Sequence, residues 1–585
     1  MLINNPIIPG FHPDPSIIRV EDTYYIANST FEWFPGVAIR RSKNLKDWEL
    51  ITYPLNSPEM LDLRGVLNGG GVWAPCLSFH EGTFYLVFSI VRTDEERMQD
   101  TANYLTCAKD IMGPWSAPVY LNSGGFDASL FHDETDQTAW LVQMKWDFQP
   151  GHDLFRGIFM RRLDTASNRL VGETACIFKG TKRGFTEGPH LYRHGVYYYL
   201  MTAEGGTRDT HCITMARSLK REGPYEADPA GPLLSAYEEP DWPIQYAGHG
   251  DLFEDKNGNW FIVHLGVRKH LTGGYSVMGR ETFLQAGHWT KEGWFRLDRG
   301  PLPQEQVEVE QIQVEQRGHE KDARQDLLPS REQEAYISDF YRTYTFDGPR
   351  LDIHFSTLRI PLSEAALSLT ERPGYLRLKG GESIFSKHAQ VMTGIRIADV
   401  CFTAETEIEF DPAHYQQMAG ITLFYNTANF YYCFISCEEG IGKHLQVMIR
   451  DANRMRYLCE APIKLKPGLP VRLRVEFTPS GIRFFYAQSD AADAPDNTVP
   501  APNNTTDAPD NTVPAPGDAV RGSDGFLYTP IGETTELLPV SILSDEYATI
   551  SGEQGFTGTF IGLCCQDLSG SRKPADFRYL MIEPS

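Results

Sequence analysis

Apolar and polar residues alternate with a period of two through most of this chain, in short runs broken by turns. That pattern predicts strands, and helical periodicity is scarce. In the first half the alternation recurs as a unit. Five segments each open on a leading residue, continue as a short apolar strand, turn, and return as an aromatic-rich strand. They read DPSIIRVEDTYYIANS from Asp14, APCLSFHEGTFYLVFS from Ala74, DASLFHDETDQTAWLVQ from Asp127, EGPHLYRHGVYYYLMT from Glu187 and HGDLFEDKNGNWFIVH from His249. Turns such as EDT, HEG and KNGN are hairpin signals. The starts lie about 55–60 residues apart, which is the spacing of four-stranded propeller blades. An all-β chain is predicted, with a five-bladed β-propeller over residues 1–315.

The stretch 316–335 is charged, rich in Gln and Glu and poor in aromatics, and reads as a linker. From 336 to 585 the strand pattern resumes in runs such as GYLRLKG, VRLRVEF and TGTFIGLCCQ, predicting a β-sandwich. DAPDNTVPAP occurs twice, from Asp493 and from Asp507, within a Pro-rich tract at about 490–524 that is predicted to be a disordered surface insertion.

Composition narrows the function classes. Acidic residues outnumber basic ones, 77 to 54, for a formal charge of −23, which argues against nucleic acid as a partner and leaves room for a neutral ligand such as a sugar. No run approaches the about 18 apolar residues of a membrane span, and the start MLINNPIIPGFHPDP has no signal-peptide pattern. Ten cysteines without a CxxC pair, most in apolar runs, predict buried free thiols and a cytoplasmic location.

If each repeat opens the innermost strand of its blade, the leading residues gather at the mouth of the central channel. Three are carboxylates, Asp14, Asp127 and Glu187, and a fourth is His249. Acids converging on one funnel repel one another and lose hydration, a cost that function usually explains. Glycoside hydrolysis uses such a set: a proton donor for the leaving oxygen and a second carboxylate, which in the inverting version activates water. Asp14, stiffened by flanking prolines in HPDPS, suits the base; Glu187 in TEGPH suits the acid; Asp127 can lift and orient the acid. Singly, each is as well explained as a turn or loop residue. Phe31, Trp33, Trp73 and Trp146 offer faces for a pyranose ring, although Trp33 fits core packing better. Arg280 can hold a carboxylate or a hydroxyl. His249 alone is a poor metal set, and no HExxH or GxSxG motif occurs.

Taken in order, FHPDPS, STFEWFPGV, GGVWAP, GFDASLF, TEGPHLY, MTAEGGT, GHGDL and GRETF resemble the β-xylosidases of glycoside hydrolase family 43, and TLRIPLSE, QQMAGITLFYNT and FTGTFIGL carry the likeness to the end of the chain. The resemblance implies a propeller joined to a sandwich and inverting, exo-acting release of xylose from β-1,4-xylo-oligosaccharides, with α-L-arabinofuranosidase activity as the alternative and a carbohydrate-binding protein with a vestigial site as a remote third. It places base, modulator and acid on Asp14, Asp127 and Glu187. Substrate contacts are implied for Phe31, Trp73, Ala74, Trp146, Thr207, His249, Arg280 and a sandwich aromatic, Phe556. It implies no required cofactor, with Ca2+ near His249 in some relatives, and a homo-oligomer, dimer or tetramer. One departure stands out: relatives carry Asp after W-A-P, whereas this chain has Cys76, which puts positioning around Trp73 in question.

Overall fold

The computed structural model describes residues 1–95, 98–310, 340–488, 520–522, 526–532 and 537–585. The segment read as a linker, 316–335, and most of the Pro-rich insertion lie outside these residues. Five antiparallel sheets follow one another along the first half of the chain, each with its strands in sequence order. Their first strands are Ser16–Val20, Gly71–His80, Ser129–Asp133, Glu187–His194 and Gln245–Glu254. Each first strand packs against the next, and the fifth returns to the first, so the predicted five-bladed propeller is closed.

Apolar clusters between the blades explain why the repeat reads as it does. Val87 and Leu105 of the second blade meet Leu130 and Leu141 of the third, and Tyr24 and Ile26 of the first meet Phe253 and Phe261 of the fifth. Inner strands such as Gly71–His80 bury side chains on both faces where blades abut, whereas an outer strand such as Arg169–Phe178 is mostly exposed. The N-terminal residues tie the ring: Leu2–Asn4 pairs with Gln306–Glu308, and Ile8 bridges Thr282 of the fifth blade.

The second half forms two packed antiparallel sheets around one apolar core, the predicted sandwich. The central strands of its nine-stranded sheet, Gln417–Asn426, Asn429–Glu438 and Phe560–Asp567, are buried on both faces, because their outer face lies on the propeller. Phe424, Phe430, Tyr432, Phe434 and Phe560 join one cluster with Phe11, Phe31, Trp33 and Trp73. Hence Phe560–Asp567 is buried at every position and shows no period-two signal. Trp33 is part of this junction and not of a sugar site. It is fully buried and stacked on Phe560 at 3.5 Å, and Trp33–Phe34 adds an edge strand to the sandwich sheet beside Ser356–Leu358.

Candidate active site

The five blades share a kink at the start of the first strand. Asp14, Ala74, Asp127, Gly188 and His249 all have left-handed backbone, with φ of 51, 38, 52, 54 and 43°. In the second, fourth and fifth blades the ladder register shifts at this point, the mark of a β-bulge. Bulges re-aim side chains and tolerate the unusual φ. Here the sequence reading needs correction by one residue. Gly188, not Glu187, holds the position that matches Asp14 and Asp127, so Glu187 matches Trp73 and Phe126, one step earlier. Its carboxyl still lines the same cavity as the other two. The other four blades carry a side chain at this φ, but at Gly188 a Cβ would stand 3.0 Å from the His249 ring, which favours glycine there.

Asp14, Asp127 and Glu187 meet in a cavity of about 390 Å³, in the size range of small-molecule sites. Asp14 accepts a hydrogen bond from Ser29 Oγ at 2.6 Å and faces Arg280 Nη1 at 3.4 Å. The segment that carries it is held by Asn28, whose amide donates to the carbonyls of His12 and Pro13. Asp127 Oδ2 accepts the Gly188 N–H at 3.1 Å, which pins the backbone next to Glu187. On the other side Thr186 Oγ1 donates to the buried Glu204 at 2.8 Å. Burial, reinforced by the Asp14 charge and opposed by Arg280, pushes the Glu187 carboxyl up to about 7. Asp127 is pushed well above the usual carboxylate range too, by burial, then by Glu187 and Asp14. The charge that lifts Glu187 therefore comes from Asp14, and Asp127 acts on it through the Gly188 hydrogen bond. With Asp127 and Glu187 both raised, the cluster carries fewer than three negative charges at neutral pH.

His249 stands between the carboxylates, with Nδ1 3.9 Å from Asp14 and 3.8 Å from Asp127. Burial pushes its imidazole down to about 4, so the ring is neutral at neutral pH. Among the described residues no group of three or more His, Cys, Asp or Glu side chains is placed to hold a metal ion. A single neutral imidazole is not a calcium cage, which is built from oxygen ligands.

Of the other residues named from the sequence, Phe31, Trp73, Trp146, Thr207, Arg280 and Phe556 line the cavity with the carboxylates. Ala74 does not; its N–H instead orients Ser29, the donor to Asp14, at 2.8 Å. Phe31, Trp73 and Phe556 form a triangle of rings with centroids 5.6–6.0 Å apart. Phe556 reaches in from the sandwich, where Arg280 Nη2 donates to its carbonyl at 3.3 Å. Sequence reasoning missed Asp94, Gln99, Phe126, Phe148 and Phe185, which also line the cavity. Phe126 was within reach, since it precedes Asp127 as Trp73 precedes Ala74.

Two residues past each kink, side chains link neighbouring blades around the channel. Ser16 Oγ accepts from Leu77 N at 3.1 Å, Ser129 Oγ donates to Pro189 O at 2.5 Å, and Asp251 Oδ2 accepts from Ile17 N at 2.9 Å. Cys76 is a member of this ring: its sulfur accepts from Leu130 N at 3.4 Å. A thiol in place of the expected carboxylate thus keeps the inter-blade contact.

Residues 3–295 match the model of glycosyl hydrolases family 43. The chain belongs to this family. Residues 343–507 and 520–583 of this family 43 chain match the beta xylosidase C-terminal concanavalin A-like domain. The chain is 37% identical to a beta-xylosidase of Bacillus subtilis (strain 168), over 99% of each chain. To xylosidase/arabinosidase 43B of Humicola insolens it is 36% identical, over 100% of this chain and 98% of that one. The crystal structure of a xylan beta-1,4-xylosidase from Bacillus halodurans C-125 superposes with a TM-score of 0.86 at 40% identity, over 99% of this chain and 100% of that one. Family 43 membership makes the chain a glycoside hydrolase, and its carboxylate cluster the place to look for the chemistry.

Proposed function

We propose that this family 43 hydrolase is an inverting, exo-acting β-xylosidase that releases xylose from the non-reducing ends of β-1,4-xylo-oligosaccharides. The observation that carries the reading is the cavity itself: three carboxyl groups from three blades, Asp14 and Asp127 buried and Glu187 half-buried and pushed up to about 7, inside aromatic walls. Glu187 gives its proton to the glycosidic oxygen as the C1–O bond breaks. Asp14 takes a proton from the water whose oxygen bonds to C1 from the opposite face, leaving α-xylose. Solvent exchange then returns a proton to Glu187 and removes one from Asp14. Asp127 keeps the acid's backbone in place, and Arg280 balances the Asp14 charge. Exo action is supported by the wall of the cavity where Arg280 packs between Phe31 and Phe556 beside Asp14.

A second reading, arabinofuranosidase activity, is favoured by the similarity to the Humicola insolens protein, whose name covers both activities. The reaction needs no cofactor. A cytoplasmic location is supported by the ten cysteines, all free and five of them, Cys76, Cys212, Cys433, Cys564 and Cys565, buried with thiols that burial pushes up. Among the described residues no helix is long and apolar enough to cross a membrane.

Proton NMR of xylobiose digestion tests the assignment. α-Xylose is expected as the first product, and β-xylose would overturn the inverting assignment. Comparing kcat/KM on nitrophenyl xyloside and nitrophenyl arabinofuranoside ranks the two activities. A higher value on the arabinoside would make the second reading the main one.

A further inference from the structure

The cavity wall is not uniformly buried. Arg280 lies 5.2 Å from the ring centroids of both Phe31 and Phe556 and against Asp14, with every one of these side chains buried or half-buried. Phe185 contrasts with them: it lines the cavity yet the residue is 60% exposed, so it stands where the wall opens to solvent. Its backbone is also left-handed, with φ of 49°. That conformation is unfavourable for a residue with a bulky side chain, and burial of the ring does not offset it here. Strain of this kind, on an exposed aromatic at a cavity rim, suits a contact that a ligand completes.

Position in the chain says which part of the ligand. Phe185 precedes Glu187 by two residues, and the segment is fixed by Gly205 N–H donating to Gly184 O at 2.8 Å and by Thr181 N–H donating to Glu204 at 2.7 Å. An acid at Glu187 protonates the oxygen between the released sugar and the rest of the chain. With the released sugar between Arg280, Phe31 and Phe556, what lies outward of Glu187 is the leaving group. Polar groups are available on the same rim. Asp94 and Gln99, at the end of the long hairpin formed by Thr83–Glu95 and Met98–Ala108, line the cavity and hydrogen-bond to each other at 3.3 Å. Gln554 of the sandwich also donates to Asp94.

We propose that Phe185 is the platform of a leaving-group subsite, stacking on the second pyranose ring of the substrate while Asp94 and Gln99 take its hydroxyls. The inference rests on the assignment of Glu187 as the acid. Aromatic faces bind sugar rings while neighbouring polar groups fix their orientation, and losing one such contact costs about tenfold in affinity.

The test compares the full chain with F185A and F185Y on xylobiose and on β-D-xylosyl fluoride, whose leaving group is too small to reach the rim. F185A is expected to lower kcat/KM on xylobiose about tenfold, through KM, and to leave the fluoride within about twofold, with F185Y restoring xylobiose. The alkaline limb of the pH profile on the fluoride should not move. Equal losses on both substrates would mean that Phe185 merely supports the catalytic segment, and an unchanged xylobiose rate would remove the platform; either result overturns the subsite alone. Turnover of neither substrate by the unsubstituted chain would sink the xylosidase reading and the subsite with it.

Discussion

Replacing Glu187 by glutamine should stabilise the protein at high pH while it destroys the proton donor. Glu187 is half-buried in the cavity wall, and desolvation reinforced by the Asp14 charge lifts its carboxyl from an ordinary 4.5 to about 7. Between those values the folded chain holds a proton that the unfolded chain has lost, so stability falls as pH rises. The contribution is complete below 4.5 and is gone once pH has passed through about 7. At about 1.4 kcal/mol per pH unit the shift is worth about 3 kcal/mol. E187Q keeps the shape and does not titrate. It should match the unsubstituted chain at pH 4.5 and exceed it by about 3 kcal/mol at pH 8, or about 5 °C in Tm for a cooperative unit of roughly 300 residues. Removing the charge also relieves Asp127, which Glu187 lifts in turn, and this acts in the same direction. Scanning calorimetry of both proteins from pH 4.5 to 8.5 reads the difference. A gap that does not change with pH, or an E187Q protein less stable at pH 8, would refute the claim that Glu187 is a desolvated acid.

Gly188→Ala combines a left-handed backbone with a Cβ 3.0 Å from the His249 ring. It is expected to cost about 1–2 kcal/mol in urea unfolding and to lower kcat at least tenfold, because the residue it displaces is next to Glu187. Cys76 should resist alkylation of the native protein at pH 8, since its thiol is buried and pushed up to about 12, and should react once urea is added. Mass spectrometry of the labelled peptide reports this.

Much of the architecture was legible because propeller blades are local: consecutive strands pair, and each repeat carries its own hairpin signals. The sandwich was legible as strands, while its double burial was not, since Phe560–Asp567 owes its unbroken burial to the propeller beneath it. Asp14 and Asp127 were found at matching positions because the repeat marks them. Glu187 was found for a partly wrong reason. A bulge moves the register by one residue, and backbone φ is not visible in a run such as TEGPH. Ala74 illustrates the converse: it follows a motif tryptophan yet contributes a backbone N–H to Ser29 instead of a cavity wall. Phe185, in a loop, and Asp94, at the end of a strand, carried no signal at all, since their neighbours across the cavity come from distant parts of the chain.

By itself the sequence determined the all-β class, the five repeats and the three acids, since alternation, turn chemistry and leading residues are properties of short segments. Tertiary structure alone decided which atoms meet. Arg280 and Asp14 are 266 positions apart along the chain, and Phe556 joins them from the other domain. The acidity of Glu187 follows the same rule, because burial and a facing carboxylate act through space and leave no trace in local sequence.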